Sequence, residues 1–166
     1  MNGVTIRLAT TGDRAGIRLV EERAFGQTAE ADLVEHLVAA GDAVLELVAE
    51  HGGTLIGHIL FSRLAVETQT ARFDAVALAP LAVVPESQRR GIGSALVESA
   101  HARLKAMGEV LSVVLGDPAY YSRFGYRHGR AAGFESDYKS EALQALAWGE
   151  APATGRLVYA SAFTAL

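Results

Sequence analysis

The chain contains no cysteine. Disulfides, thiolate zinc sites and cysteine nucleophiles are therefore excluded. It also lacks any apolar run near the ~18 residues that would cross a bilayer. The opening MNGVTIRLATTGD has no basic stretch followed by an apolar one, so no secretory signal is expected, and a cytoplasmic protein follows. Strong charge of one sign is missing too. The formal charge is −4, which argues against nucleic-acid binding through a basic surface. No HExxH pattern joins the five histidines, His36, His51, His58, His101 and His128, so surface or hydrogen-bonded core histidines are expected and no metal site.

What is present is ordinary globular composition: half the residues are apolar and a fifth charged. One domain covering residues 1–166 accommodates that length and can bury a core. Alternation predicts a strand over residues 5–9, and cap residues then open a helix over 14–25 that Gly26 stops. A second helix is expected over 29–40. Strands follow over 43–50 and 54–66, joined at HGG, with Gly57 marking a bulge. Residues 73–84, FDAVALAPLAVV, read as a central strand buried on both faces, interrupted where Pro80 cannot donate to a ladder. Ile92, Leu96, Ala100, Leu104 and Met107 recur at helical period, giving a helix over 92–107 closed by Gly108. A buried strand is expected over 110–115, then a turn and short helix in GDPAYYSRFGY. Beyond Gly129, Phe134 and Tyr138 read as anchors, EALQALAW as helix or loop, and GRLVYA as a closing strand. The fold class is mixed α/β, one central sheet covered by helices.

The junction PESQRRGIGSAL, residues 85–96, carries the chemistry. A strand ends near Val84 and a helix starts near Ile92. The first helical turn has free N–H groups and the positive end of the helix dipole. Gly91 and Gly93 have no Cβ, so an oxygen can approach the backbone, and Arg89 and Arg90 add positive charge. The arrangement is a phosphate cradle. A P-loop needs a Gly-Lys pair, which the chain lacks. A dinucleotide fingerprint needs glycine directly after the strand, and a third glycine or alanine where Leu96 stands.

What remains is Q-x-x-G-x-G, written Gln88-Arg89-Arg90-Gly91-Ile92-Gly93. This strand–loop–helix pattern resembles the acyl-CoA site of the GNAT superfamily, the Gcn5-related N-acetyltransferases. A second match lies in GDPAYYSRFGY, where Tyr121 precedes Gly125 by four and Tyr126 follows it, as in the family's Y-x-x-x-G-[FY]. The full string is similar to small bacterial-type members.

The resemblance implies a GNAT-like fold: a mixed, mostly antiparallel sheet with one splayed parallel pair and helices on both faces. It implies acetyl-CoA as acyl donor, its pyrophosphate held at Gln88, Arg89, Arg90, Gly91, Ile92, Gly93 and Ser94. The backbones of Leu81, Ala82 and Val83 would meet pantetheine along the strand that Pro80 breaks. Tyr121 is the implied general acid, with Tyr120 its nearest rival. The general base is not assigned; Glu22, Glu67, Asp74 and Glu86 are the carboxylates considered. Without cysteine no acyl-cysteine can form, so direct transfer in a ternary complex is expected. The acceptor is a small-molecule or peptide amine, and family members often form homodimers, though the sequence marks no interface. An acyl-CoA-sensing module without turnover is the alternative. A protein with no CoA site is the third reading.

Overall fold

The computed structural model describes residues 3–165. Eight strands form one mixed sheet: β1 (Val4–Leu8), β2 (Ala43–His51), β3 (Thr54–Glu67), β4 (Arg72–Val83), β5 (Leu111–Leu115), β6 (Phe134–Glu135), β7 (Leu143–Ala147) and β8 (Gly155–Tyr159). Helices α1 (Arg14–Phe25) and α2 (Ala29–Ala39) lie between β1 and β2. α3 (Ile92–Ala106) links β4 to β5, and the one-turn helices α4 (Pro118–Tyr121) and α5 (His128–Ala131) follow.

Strand order is β1-β2-β3-β4-β5-β7, and β8 pairs both β3 and β6. The β4–β5 pair is parallel and short, with Val76–Leu78 against Ser112–Val114. Past Leu78 the two strands part. The residues of β4 near the break also bulge against β3: Ile59 faces Leu81 and Phe61 faces Leu78, leaving Ala79 and Pro80 opposite Leu60 alone. This is the local failure of pairing that a proline without an N–H imposes.

Strand alternation sorts the core into two layers. Leu47, Ala49, Ile59 and Phe61 face α3, where Ile92, Leu96, Val97, Ala100 and Leu104 present the helical stripe read from the sequence. Val48 and Leu60, one residue out of phase, face α1 and α2 and pack on Ile17, Leu33, Val34 and Leu37. Full burial of each large side chain in these stripes contributes about 1.5–3 kcal/mol. The expected bulge is present beside Gly57: Ala49 faces Gly57 and Glu50 faces Leu55, so Ile56 is extra. Gly57 also has a packing role. A Cβ there would stand 3.0 Å from Leu96 and 3.2 Å from Ile92, so its absence lets the first turns of α3 settle onto the sheet.

One expectation is overturned. EALQALAW forms neither helix nor loop; Leu143–Ala147 is strand β7, antiparallel to β5. Its residues are good helix formers, but their facing alternates: Leu143 and Ala145 enter one core layer and Leu146 packs toward the other. Pairing with the exposed edge of β5 overrides local propensity. Buried Gln144 stays satisfied by donating through Nε2 to the Gly116 carbonyl at 3.1 Å. Phe134 is fully buried as anticipated, and Tyr138 stacks edge-on against Tyr159 at 5.1 Å. No helix among the described residues is long and apolar enough to cross a membrane.

Candidate functional site

The break between β4 and β5 opens two cavities, one on each side of Leu81. The first, about 450 Å³, contains the glycine loop. β4 ends at Val83, a single 3₁₀ turn spans Pro85–Ser87, and Gln88 returns a hydrogen bond from Nε2 to the Val83 carbonyl at 2.9 Å. Arg89 then takes a left-handed backbone, φ 63°, and so does Gly91, φ 81°, at the helix N-cap. A bulky residue with positive φ is uncommon and stores strain where a loop must hold a fixed shape. The first intrahelical bond runs from the Ala95 N–H to the Gly91 carbonyl, 3.0 Å. The N–H groups of Ile92, Gly93 and Ser94 are therefore left without helical acceptors.

Leu81, Val83, Gln88, Arg89, Gly91, Ile92, Gly93 and Ser94 all line this cavity. Ala82 and Arg90 do not. Val84 donates to Ile56 at 2.9 Å, so alternation turns the peptide groups of Ala82 toward β3 and those of Leu81 and Val83 into the break. The Ala82 side chain is buried beneath α1 against Val20. Arg90 is exposed outside the cavity.

Arg123 went unread in the sequence, and Tyr120 was read only as a rival to Tyr121. Arg123 donates from Nη2 to the Ser94 hydroxyl at 2.7 Å, and its guanidinium lies 4.8 Å from the centre of the Tyr120 ring. The Tyr120 hydroxyl would stand 2.8 Å from a Cβ on Gly93. The cavity thus combines free amides, a helix N-terminus and two arginines, Arg89 and Arg123, with no carboxylate in its lining. Those donors suit a diphosphate.

The second cavity, about 470 Å³, lies on the α1/α2 side of the break. Phe25, Glu30 and Leu33 come from the two helices, Ala77–Leu81 from β4, and Val113 and Leu115 from β5. Gly116, Asp117 and Tyr121 follow β5, and Tyr138, Tyr159 and Phe163 come from the last part of the chain. Tyr121 thus faces this cavity and Tyr120 the first. The Tyr121 ring lies against Gly116, where a Cβ would stand 2.5 Å from it. It stacks edge-on with Tyr120 at 5.0 Å and Tyr126 at 5.9 Å. Burial, and then the neighbouring Tyr120 phenol, push the Tyr121 pKa above the ordinary tyrosine value. Tyr126 itself is core, bonded to Ser112 at 2.8 Å and His101 at 3.0 Å.

Glu22, Glu67, Asp74 and Glu86 line neither cavity. Glu22, Glu67 and Glu86 pair with Arg18, Arg72 and Arg23 respectively, and Asp74 is exposed. The carboxylates that do reach the second cavity are Glu30, which accepts from Gln27 at 3.0 Å, and Asp117, which caps α4 through the Ala119 N–H at 3.0 Å. A separate buried cluster crosses α1, β2 and β3. His58 bonds Glu21 through Nδ1 and Glu46 through Nε2, each at 2.7 Å, and Glu46 also pairs with Arg14. His58 is therefore a hydrogen-bonded core histidine. No group of side chains suited to a metal occurs among the described residues.

A broken parallel pair beside a helix N-terminus, with a tyrosine at the gap, defines an acyltransferase of the GNAT type. The chain belongs to that family: the family model "Acetyltransferase (GNAT) domain" matches residues 5–129. Among curated proteins it is 40% identical over 124 residues to the uncharacterized N-acetyltransferase YjhQ of Escherichia coli K12, covering 74% of this chain and 68% of that one. Among solved structures it is similar to a GNAT family acetyltransferase from Brucella melitensis in complex with acetyl-CoA. That likeness has a TM-score of 0.83 and 34% identity over 98% of this chain and 99% of the other. It is similar also to YhbS from Escherichia coli in complex with CoA, with a TM-score of 0.89 and 31% identity over 97% and 92% of the two chains.

Proposed function

We propose that this enzyme transfers an acetyl group from acetyl-CoA to a primary amine, directly, in a ternary complex. The observation that carries the reading is the meeting of the two cavities at Leu81: a diphosphate cradle on one side and Tyr121 on the other. Acetyl-CoA supplies the acetyl group as a thioester. The amides of Ile92, Gly93 and Ser94, with Arg89 and Arg123, hold the diphosphate. The outward peptide groups of Leu81 and Val83 receive the pantetheine arm in place of the missing strand, except that the Val83 carbonyl already accepts from Gln88. The ammonium gives one proton to solvent. The neutral amine then bonds the acetyl carbon, the carbon–sulfur bond breaks, Tyr121 gives the departing sulfur its proton, and the second proton leaving the nitrogen restores the Tyr121 phenol by way of water. The proton kept on Tyr121 by burial makes it a donor throughout the neutral range.

The test is an acceptor screen read by release of free thiol, with initial rates in both substrates. Intersecting patterns and acetylated amine support the reading; ping-pong patterns remove the ternary complex. Tight CoA binding with no amine acetylated would make the chain a sensor module. Binding itself is checked by thermal shift. Acetyl-CoA at ~100 times its dissociation constant should stabilise the protein by about 2.7 kcal/mol.

Gly93→Val should weaken CoA binding about 10- to 100-fold in a titration, because the branched side chain enters the cradle against Tyr120 and Val83. Gly93 lies in the first turn of α3, where its backbone is helical, so the melting temperature should hardly move. An unchanged dissociation constant would take the diphosphate away from this turn.

A further inference from the structure

The second cavity has a chemical character that narrows the acceptor. Its walls are apolar and aromatic, with Phe25, Tyr138, Tyr159 and Phe163 drawn from opposite ends of the chain. Phe25 and Leu115 at its edge are 42% and 48% exposed, two of the few large apolar side chains the fold leaves in water. Its charges are all of one sign: Glu30 and Asp117 line it, and no lysine, arginine or histidine does. Its volume, about 470 Å³, lies within the range of small-molecule sites.

We infer that the acceptor is a small primary amine on an apolar body, aromatic or alkyl. This rests on the acetyl-transfer reading above. The apolar body replaces water against the aromatic wall, and Phe25 and Leu115 extend that contact to the rim. Glu30 draws the ammonium end inward before deprotonation. Asp117 is held by a backbone N–H at the N-cap of α4, whereas Glu30 is held only by the exposed Gln27 side chain, so Glu30 carries the larger share. A polyamine would bring a second cation for which the remaining carboxylate, Asp117, is already committed to the N-cap of α4. A peptide would bring backbone N–H and C=O groups into a lining poor in partners.

The experiment uses the whole chain, acetyl-CoA and an amine ladder from propylamine to hexylamine, with phenethylamine, spermidine and a lysine peptide beside it. Thiol release gives kcat and KM, and melting of the CoA complex with each amine gives binding apart from turnover. The expected result is a gain in kcat/KM of about fourfold per methylene, roughly 60-fold across the ladder. The gain should appear chiefly in KM, with phenethylamine near the top. Phe25→Ala should flatten the ladder, and Glu30→Gln should raise KM for every amine about three- to tenfold.

A flat ladder with turnover present, or spermidine or peptide preferred to hexylamine, overturns the acceptor assignment and leaves acetyl transfer standing. Stabilisation by hexylamine without acetylation of any amine does the reverse, removing transfer and keeping the pocket's preference. If no amine binds or reacts, both fall.

Discussion

Replacing Tyr121 with phenylalanine is expected to lower kcat about 10²- to 10⁴-fold, the usual range for loss of a positioned general acid. The substitution is a clean one because the ring's supports need no hydroxyl. The ring rests on Gly116 and stacks against Tyr120 and Tyr126, contacts that phenylalanine keeps. Stability and the dissociation constant for CoA should therefore stay near those of the parent chain. Tyr120→Phe is the matched control. Its hydroxyl lies by Gly93 in the first cavity, so its removal should affect CoA binding more than the transfer step. Because the Tyr121 pKa is pushed upward, ionisation of this group should cause no loss of rate below about pH 10. A fall of less than twofold in Tyr121→Phe, with the protein intact, would remove the assignment.

The second large effect is on stability. His58→Leu should cost about 3–5 kcal/mol, the usual penalty for stranding a charge in a protein interior. The melting temperature should fall by roughly 6–20 °C for a chain of this size. His58 and Glu21 are both fully buried, and Glu21 Oε1 has no hydrogen-bond partner. Without the imidazole, Glu21 keeps no partner at all, whereas Glu46 retains Arg14. The double variant Glu21→Leu with His58→Leu should recover most of the loss, since an apolar pair needs no compensation.

The pH dependence carries the same cluster's mark. Burial is the strongest single influence on His58 and acts downward, but its hydrogen bonds to Glu21 and Glu46 together outweigh it and raise the pKa. The cationic imidazole thus contributes its full share below about pH 6.5, and that share is lost as pH climbs through the elevated value. Burial raises the Glu21 pKa from about 4.5, so its contribution too is lost as pH climbs from there, in the same sense as that of His58. For Glu46 burial again acts upward, yet His58 and Arg14 prevail and lower the pKa, so its contribution disappears on the acid side. Thermal scans across pH should show the alkaline decline in the parent chain and a flatter limb in the double variant. An equal decline in both would place its cause elsewhere.

The cradle was legible because its parts are contiguous: strand, arginines, glycines and helical stripe follow one another without interruption from residue 73 to residue 107. Tyr121 was legible for the same reason, its spacing to Gly125 being short. The second cavity was not. Phe25, Glu30, Leu81, Tyr121 and Tyr159 meet only through the folded sheet, and no spacing along the chain encodes such a wall. Arg123 escaped notice because its meaning depends on Ser94, twenty-nine positions earlier. The Glu21–His58–Glu46 bridge was equally hidden, since each member alone reads as an ordinary polar residue. Leu143–Ala147 misled because a short run of helix formers becomes a strand when an open sheet edge awaits it.

The family match ends at residue 129, yet β8 returns to lie along the far half of β3 and brings Tyr159 and Phe163 to the second cavity. The cavity proposed for the acceptor is thus walled from both sides of that limit, by Phe25 and Glu30 within the matched stretch and by Tyr138, Tyr159 and Phe163 beyond it, and the later stretch is fixed to the sheet by β7 along β5 and by β8 along β3. Variation in the carboxy-terminal stretch would reshape one wall of that cavity and leave the glycine loop untouched. Chimeras exchanging that stretch between relatives should shift selectivity part of the way toward the donor of the tail, with the wall supplied by Phe25 and Glu30 unchanged.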